Sequence, residues 1–402
     1  FSRSNGIVTY SAAAGSTILK NLNSASGLRL TGGSLTVGDG VQDRSLLASL
    51  DISGGNFLLN GSLSADRYAQ GGGVLSGNGN LLVANSFSQA AGAIRLAGQL
   101  AITQAAGDLR FASLAANAVT LTALNGAIGQ DGALLAGSLA AQAKNGIVLG
   151  HAGNQLGSFS ASNSAGGGIV LNNTSAPGTL ALGSLATGAG DIAINNTGGI
   201  AAGNINANGG NVSLTARSPI SVNGKIEGND ISLNASTDVL LGDGAQLAAA
   251  RDISLVAGRD IGIDGNARVA SGGNFVASAQ DHVRLGGSAS FTVPAAASMS
   301  LLAKTGSITG GTGVRIARQR ANVSLLAPNG TVSVPDAVFL PATVDKPVID
   351  PATSAAIDNA LAIIKQADRA NDMATPVLLA DKKADDKKKG DSDVAGPTDK
   401  PT

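Results

Sequence analysis

The chain has 402 residues, of which 56 are Gly, with no Cys, no Trp, 2 Met and 2% aromatic residues, a composition that points to repetition rather than to an ordinary globular domain. Its 27 basic residues balance 27 acidic ones, so no net field draws it to nucleic acid or to an anionic membrane, and the lack of Cys excludes disulfides and thiolate metal sites. With 43% hydrophobic residues it carries too much apolar surface to stay disordered and should fold. It starts at Phe1 without an initiator Met or a signal-peptide pattern, and so reads as a fragment or a processed product.

Residues 1–105 predict short strands at Leu28–Leu30, Leu35–Val37, Leu50–Ile52, Leu58–Leu59 and Leu81–Val83, separated by Gly-rich turns such as Gly71-Gly72-Gly73 and Gly77-Asn78-Gly79. Their phase is poorer than that of the chain that follows. From residue 106 to about 340 a fixed period takes over, and a period decides the architecture before any local propensity does. Ile128, Ile147, Ile169, Ile192, Val212, Ile231, Ile253, Phe275, Met299 and Val323 recur about every 22 residues. A second ladder follows eight or nine positions later at Ile200, Ile220, Val239, Ile261, Val283, Ile308 and Val332. A third passes through Ile205, Ile226, Leu247, Val269, Phe291 and Val314. Triplets such as Ile231-Ser232-Leu233, Ile253-Ser254-Leu255 and Val323-Ser324-Leu325 place apolar groups on one face and Ser on the other, the period of two that marks a strand.

The gaps between ladders hold turn chemistry in the same phase. Asn223-Gly224, Asp243-Gly244, Asp264-Gly265, Gly286-Gly287 and Gly310-Gly311 follow the second strand and reach positive φ at low cost. Asp191, Asn211, Asp230, Asp252, Asn274, Ser298 and Asn322 precede the first strand, with short side chains suited to bonding backbone at a corner. Three strands and three corners per repeat predict an all-β fold, a right-handed parallel β-helix of about 22 residues per coil. About fifteen coils at ~4.8 Å each would stack to ~70 Å. No single coil can bury its own apolar face, so stability is a sum over coil-to-coil interfaces.

Several stretches resemble the shaft of filamentous-haemagglutinin-like exoproteins of two-partner secretion systems. They are Ile102–Gly107, Ala118–Ala123, Leu156–Phe159, Gly166–Leu171 and Arg251–Ile261, and the resemblance covers roughly residues 80–335. It implies a secreted bacterial fibre, extracellular or held at the cell surface, exported through an outer-membrane barrel transporter. It also implies host-cell or matrix glycans or proteins as possible binding partners. The family includes adhesins, biofilm matrix proteins, haem scavengers and toxin-delivery fibres. Two of its features have no counterpart here: the N-terminal secretion domain with its Asn-Pro-Asn-Gly motif, and the cysteine pair with which some relatives hook onto their pore.

Beyond about residue 335, Pro335, Pro341, Pro347 and Pro351 interrupt the ladders, since proline cannot donate to a coil-to-coil bond. Residues 341–380 form a Pro-rich connection and an amphipathic helix that Asp350 caps and Pro351 opens, running to about Ala370 with Ile357, Ala360, Leu361 and Ile364 on one stripe. It is too short and too charged to span a membrane. It reads either as a cap on the last coil or as a solvated linker helix. The Lys- and Asp-rich stretch 381–402 lacks apolar residues and should be disordered. Within it Lys387-Lys388-Lys389 is hemmed by Asp385, Asp386, Asp391 and Asp393, which argues against a nucleic-acid patch. Leu340-Pro341-Ala342-Thr343 is followed by Val344 rather than the Gly of a sortase signal.

Catalytic signatures are scarce. The only histidines are His151 and His282, and no GxGxxG, Walker A, GxSxG or Gly-Gly-x-Gly-x-Asp series occurs. Asp238, Asp260 and His282 precede the second strand in three consecutive coils and form the best cluster, near Arg251, Arg259 and Arg284. Stacked acids in a β-helix can bind calcium or cleave polysaccharides. One charge per coil also solvates the outside of a solenoid, and the flanking arginines would neutralise the acids. The reading adopted is therefore structural, with no catalytic, cofactor-binding or metal residues and no cofactor. Three functions remain in view: a structural or adhesive fibre, the stem of a toxin-delivery exoprotein, and a polysaccharide-degrading β-helix enzyme.

Overall fold

The computed structural model describes residues 2–339, apart from 5–6, 12–15, 25 and 41. The helix expected over 350–370 and the tail from Asp381 lie outside the described residues.

Parallel strands stack as a β-solenoid of about 16 turns with roughly 20 residues per turn. Coil length varies little, from the 18 residues between Leu50 and its partner Tyr68 to the 25 between Val283 and Ile308. The first ladder forms an 11-stranded sheet that begins at Leu109 and runs in register through Ile128, Ile147, Ile169, Ile192, Val212, Ile231, Ile253, Phe275, Met299 and Val323. All of these side chains are buried. The second ladder stacks as expected from Ile200 to Val332. The third follows Ile205, Ile226, Leu247, Val269 and Phe291, but its next member is Ile316 rather than Val314. The two residues share a parity, so both are buried, and only the pairing register distinguishes them.

The less regular first quarter obeys the same plan. Leu28 pairs with Val8 and Leu50, Leu50 with Tyr68, and Tyr68 with Phe87. Leu35, Phe57, Leu75 and Ile94 form a second column that passes on to Leu114. Tyr68 and Phe87 stack face to face inside, with ring centroids 5.4 Å apart. At the N-terminal end Ser2–Ser4 pairs antiparallel with Ile7–Tyr10.

Three separate strands per coil hold throughout from Ile192 onward. Between Leu114 and Thr187 the second and third strands of a coil are one continuous strand, as in Leu114–Ala123, Leu134–Ala143 and Thr179–Thr187, whereas Ser62–Gln70 joins the third strand of one coil to the first strand of the next. Each still turns a corner. In Leu134–Ala143 the inward–outward alternation breaks at Gly137-Ser138, where two successive residues face out. Skipping one beat of the period redirects the strand without any turn residue, because the pairing continues on both sides of the skip.

The interior is narrow and mostly apolar, lined by Leu, Ile, Val, Ala and a few Phe. Each fully buried Leu or Ile stabilises the stack by about 1.5–3 kcal/mol, and an isolated coil would bury none of them. Most of the turn glycines behave as expected: Gly244, Gly265 and Gly287 have φ of 75°, 62° and 55°. Gly224 and Gly311 turn without positive φ.

Candidate functional site

The chemistry-bearing side chains gather along the corners, in columns that climb one coil at a time. In the corner before the first strand, each side-chain oxygen accepts the backbone N–H of the equivalent residue one coil on. Asp191 Oδ1 receives Asn211 N–H at 2.7 Å, Asn211 receives Asp230, Asp230 receives Asp252, Asp252 receives Asn274, and Asn274 receives Ser298 at 2.9 Å. The sequence had suggested bonds to neighbouring backbone; the partner is instead the next coil, about 22 residues away.

Asp238, Asp260 and His282 do come together, in consecutive coils, and they build a second column of the same kind. Asp238 Oδ1 accepts the Asp260 N–H at 3.2 Å, Asp260 Oδ1 accepts the His282 N–H at 2.9 Å, and His282 Nδ1 accepts the Ser307 N–H at 3.0 Å. Ser307 Oγ then accepts the Thr331 N–H at 3.0 Å. Asp238 is buried, and both of its oxygens are gripped by Arg259, whose side chain is 60% exposed. Arg284 Nη1 donates to Asp260 Oδ2 at 2.8 Å. Arg251, expected beside this cluster, sits instead on Asp230 in the other corner, because Arg251 leaves its coil eight residues earlier than Arg259 does.

The charges set the ionisation of these acids. The Arg259 guanidinium holds the Asp238 carboxyl below its ordinary range against the opposing effect of burial, and Arg251 does the same for Asp230. At Asp260 burial is the largest influence and opposes ionisation, but Arg284 and the His282 N–H together outweigh it and leave the pKa lowered. A general acid needs a carboxyl that keeps its proton near neutral pH. Asp238 and Asp260 are driven the other way, and each of their carboxylate oxygens already accepts a hydrogen bond. Among the described residues no group of three or more His, Asp or Glu is placed to hold a metal ion.

The interior carries a polar set that the sequence reading missed. Gln70, Gln89, Asn154, Asn163, Asn173, Thr187 and Asn196 are all buried. Asn154 is a hub. Its Oδ1 accepts Leu134 N–H and Gln130 Nε2–H, and its Nδ2 donates to Leu149 O, Asn172 O and Gln130 Oε1, all within 3.1 Å. Gln89 bridges a step where the first backbone ladder has no strand pairing: its Oε1 accepts Ala112 N–H at 2.9 Å and its Nε2 donates to Ser113 O at 3.3 Å. A signal for part of this set was present. Asn173 and Asn196 occupy the inward fifth position of Ile-x-Leu/Ile-Asn-Asn, where Ala216, Ala235, Ala257, Ala279 and Ala303 stand in later coils. An amide at an inward parity needs partners across the coil.

No helix among the described residues is long and apolar enough to cross a membrane. No family model, curated protein or solved structure matches the chain.

Proposed function

We propose that this chain is the structural shaft of a secreted bacterial surface fibre, an adhesin or biofilm matrix protein of the filamentous-haemagglutinin-like kind, exported through an outer-membrane barrel transporter. The observation that carries the reading is the parallel stacking of about 16 coils whose length stays between 18 and 25 residues. A stack of near-equal coils has no long loops to wall a cleft, and it extends by simple repetition, which is what a spacer between a cell and a distant tip requires. Corner side chains used as coil-to-coil acceptors fit the same role. Each of Asp230, Asp238 and Asp260 serves the next coil rather than an open site.

Immunogold electron microscopy with antibody to this chain on the native bacterium tests the reading. Label on filaments outside the outer membrane, lost when the barrel transporter gene is deleted, is the expected result. Label confined to the cytoplasm, or surface label indifferent to that deletion, overturns it. Incubation of the purified chain with pectin-like polysaccharide separates the fibre from the enzyme reading, and depolymerisation abolished by Asp260→Ala would establish the latter.

A further inference from the structure

We infer that the step between the coil of His282 and the coil of Ser307 is an acid-sensitive seam, in which protonation of His282 breaks one coil-to-coil hydrogen bond that every other described member of its corner column keeps. Four side chains act as acceptors in that column: Asp238 Oδ1, Asp260 Oδ1, His282 Nδ1 and Ser307 Oγ. Carboxylates with lowered pKa stay ionised well below neutral pH, and a hydroxyl does not titrate. Histidine is the side chain whose charge ordinarily changes between pH 5 and 8.

The geometry fixes which proton matters. Because Nδ1 accepts the Ser307 N–H at 3.0 Å, the ring of the neutral form carries its proton on Nε2. A second proton can enter only at Nδ1, and there it turns the acceptor into a donor facing another donor. The bond is lost outright. Ser307 is then tied to the preceding coil through its carbonyl alone, which accepts the Val283 N–H at 3.1 Å. The next coil passes close to the ring at Gly306, where a Cβ would meet His282 Nδ1 at 2.6 Å, so glycine is the residue that leaves the imidazole its place.

The charged groups around the ring come from its own coil and the one before it. The preceding coil brings Asp260, and His282's own coil brings Asp281 beside it in the chain and Arg284, which is paired with Asp260. Asp260 already accepts the His282 N–H on one oxygen and Arg284 on the other. Asp281 Oδ1 receives the Thr305 hydroxyl at 2.6 Å. His151 is a contrast, since its Nδ1 accepts the N–H of Gly153 within a single local turn. Its protonation opens no seam between coils.

Amide hydrogen exchange on the whole chain at pH 7.5 and 5.5, corrected for the intrinsic pH dependence of exchange, tests the inference. Protection of the Ser307 amide should fall at least tenfold at the lower pH, while the amides of Asp260 and His282, which rest on carboxylates, should keep theirs. His282→Asn places an amide oxygen where Asn211 and Asn274 already serve in the neighbouring column, and it should hold Ser307 protection constant across the two pH values. Unchanged Ser307 protection in the wild type, or an equal fall in His282→Asn, overturns the inference.

Discussion

Asn154 shows how much a single interior residue can hold. It is fully buried and its amide makes five hydrogen bonds to four residues, so removing it leaves the Leu134 N–H and the Leu149 and Asn172 carbonyls short of bonds in the interior. Asn154→Ala should lower stability by about 3 kcal/mol, read as a fall in the denaturation midpoint, and should open the neighbouring 147–156 region to proteolysis first. Asp238 carries a pH dependence instead. Its folded pKa is depressed, chiefly by Arg259, so its contribution is present above the unfolded carboxylate value of about 3.9 and disappears as the pH falls through the lower folded value. Wild type should therefore be more thermostable than Asp238→Asn from pH 5 to 7, and the gap should close in the acid range below about 3.9. Since Arg259 is largely exposed, added salt should narrow the gap at every pH. Neither effect was legible in the sequence. Asp238 was visible as a stacked acid, but whether its lone pairs face solvent or the next coil depends on a corner angle that no spacing encodes.

At the scale of the strand, period two and the coil repeat together identified the inward residues. Ile231, Ile253, Phe275 and Met299 stack inside, one per coil, and Ser232, Ser254 and Ser300 point outward. A carboxylate at the buried Ile253 position has no partner, and Ile253→Asp should cost at least about 4 kcal/mol. Ser254→Asp, on the outer face of the same strand, is the control. Circular dichroism during urea titration should show the first variant losing its strand signal at much lower denaturant and the second tracking the wild type. Strands with strong alternation were readable for a plain reason: β-branched residues and Ser sort cleanly by face. Corners inside a strand were not. Gly137-Ser138 and Asn117-Ala118 carry small or polar side chains that fit either face, so the skipped beat is invisible until neighbouring coils fix the parity.

A solenoid of this kind is close to one-dimensional, each coil touching only its neighbours, and its tolerance of change should follow the coil rather than the residue. Duplicating residues 231–252 in place inserts one whole coil, with every ladder resuming in register. Duplicating 231–241 alone inserts half of one and puts the first ladder against the second. The first variant should express as a soluble chain with unchanged strand content and protease resistance; the second should be cleaved near the insertion under limited proteolysis. Equal behaviour of the two would mean that coil register does not govern stability here. The periodicity of the chain was enough to establish the coil length, the three ladders and most inward positions, because a stack repeating at one level repeats the same demand on side chains at every level. What it could not establish are the contacts that join different coils at their corners: Gln89 spanning a step without strand pairing, Arg251 reaching Asp230 instead of the Asp238 column, Ile316 taking the place expected of Val314, and His282 standing where other coils use a carboxylate. Those depend on where one coil's backbone falls above another's, a distance of a few ångströms between residues about twenty positions apart, and only the assembled stack decides it.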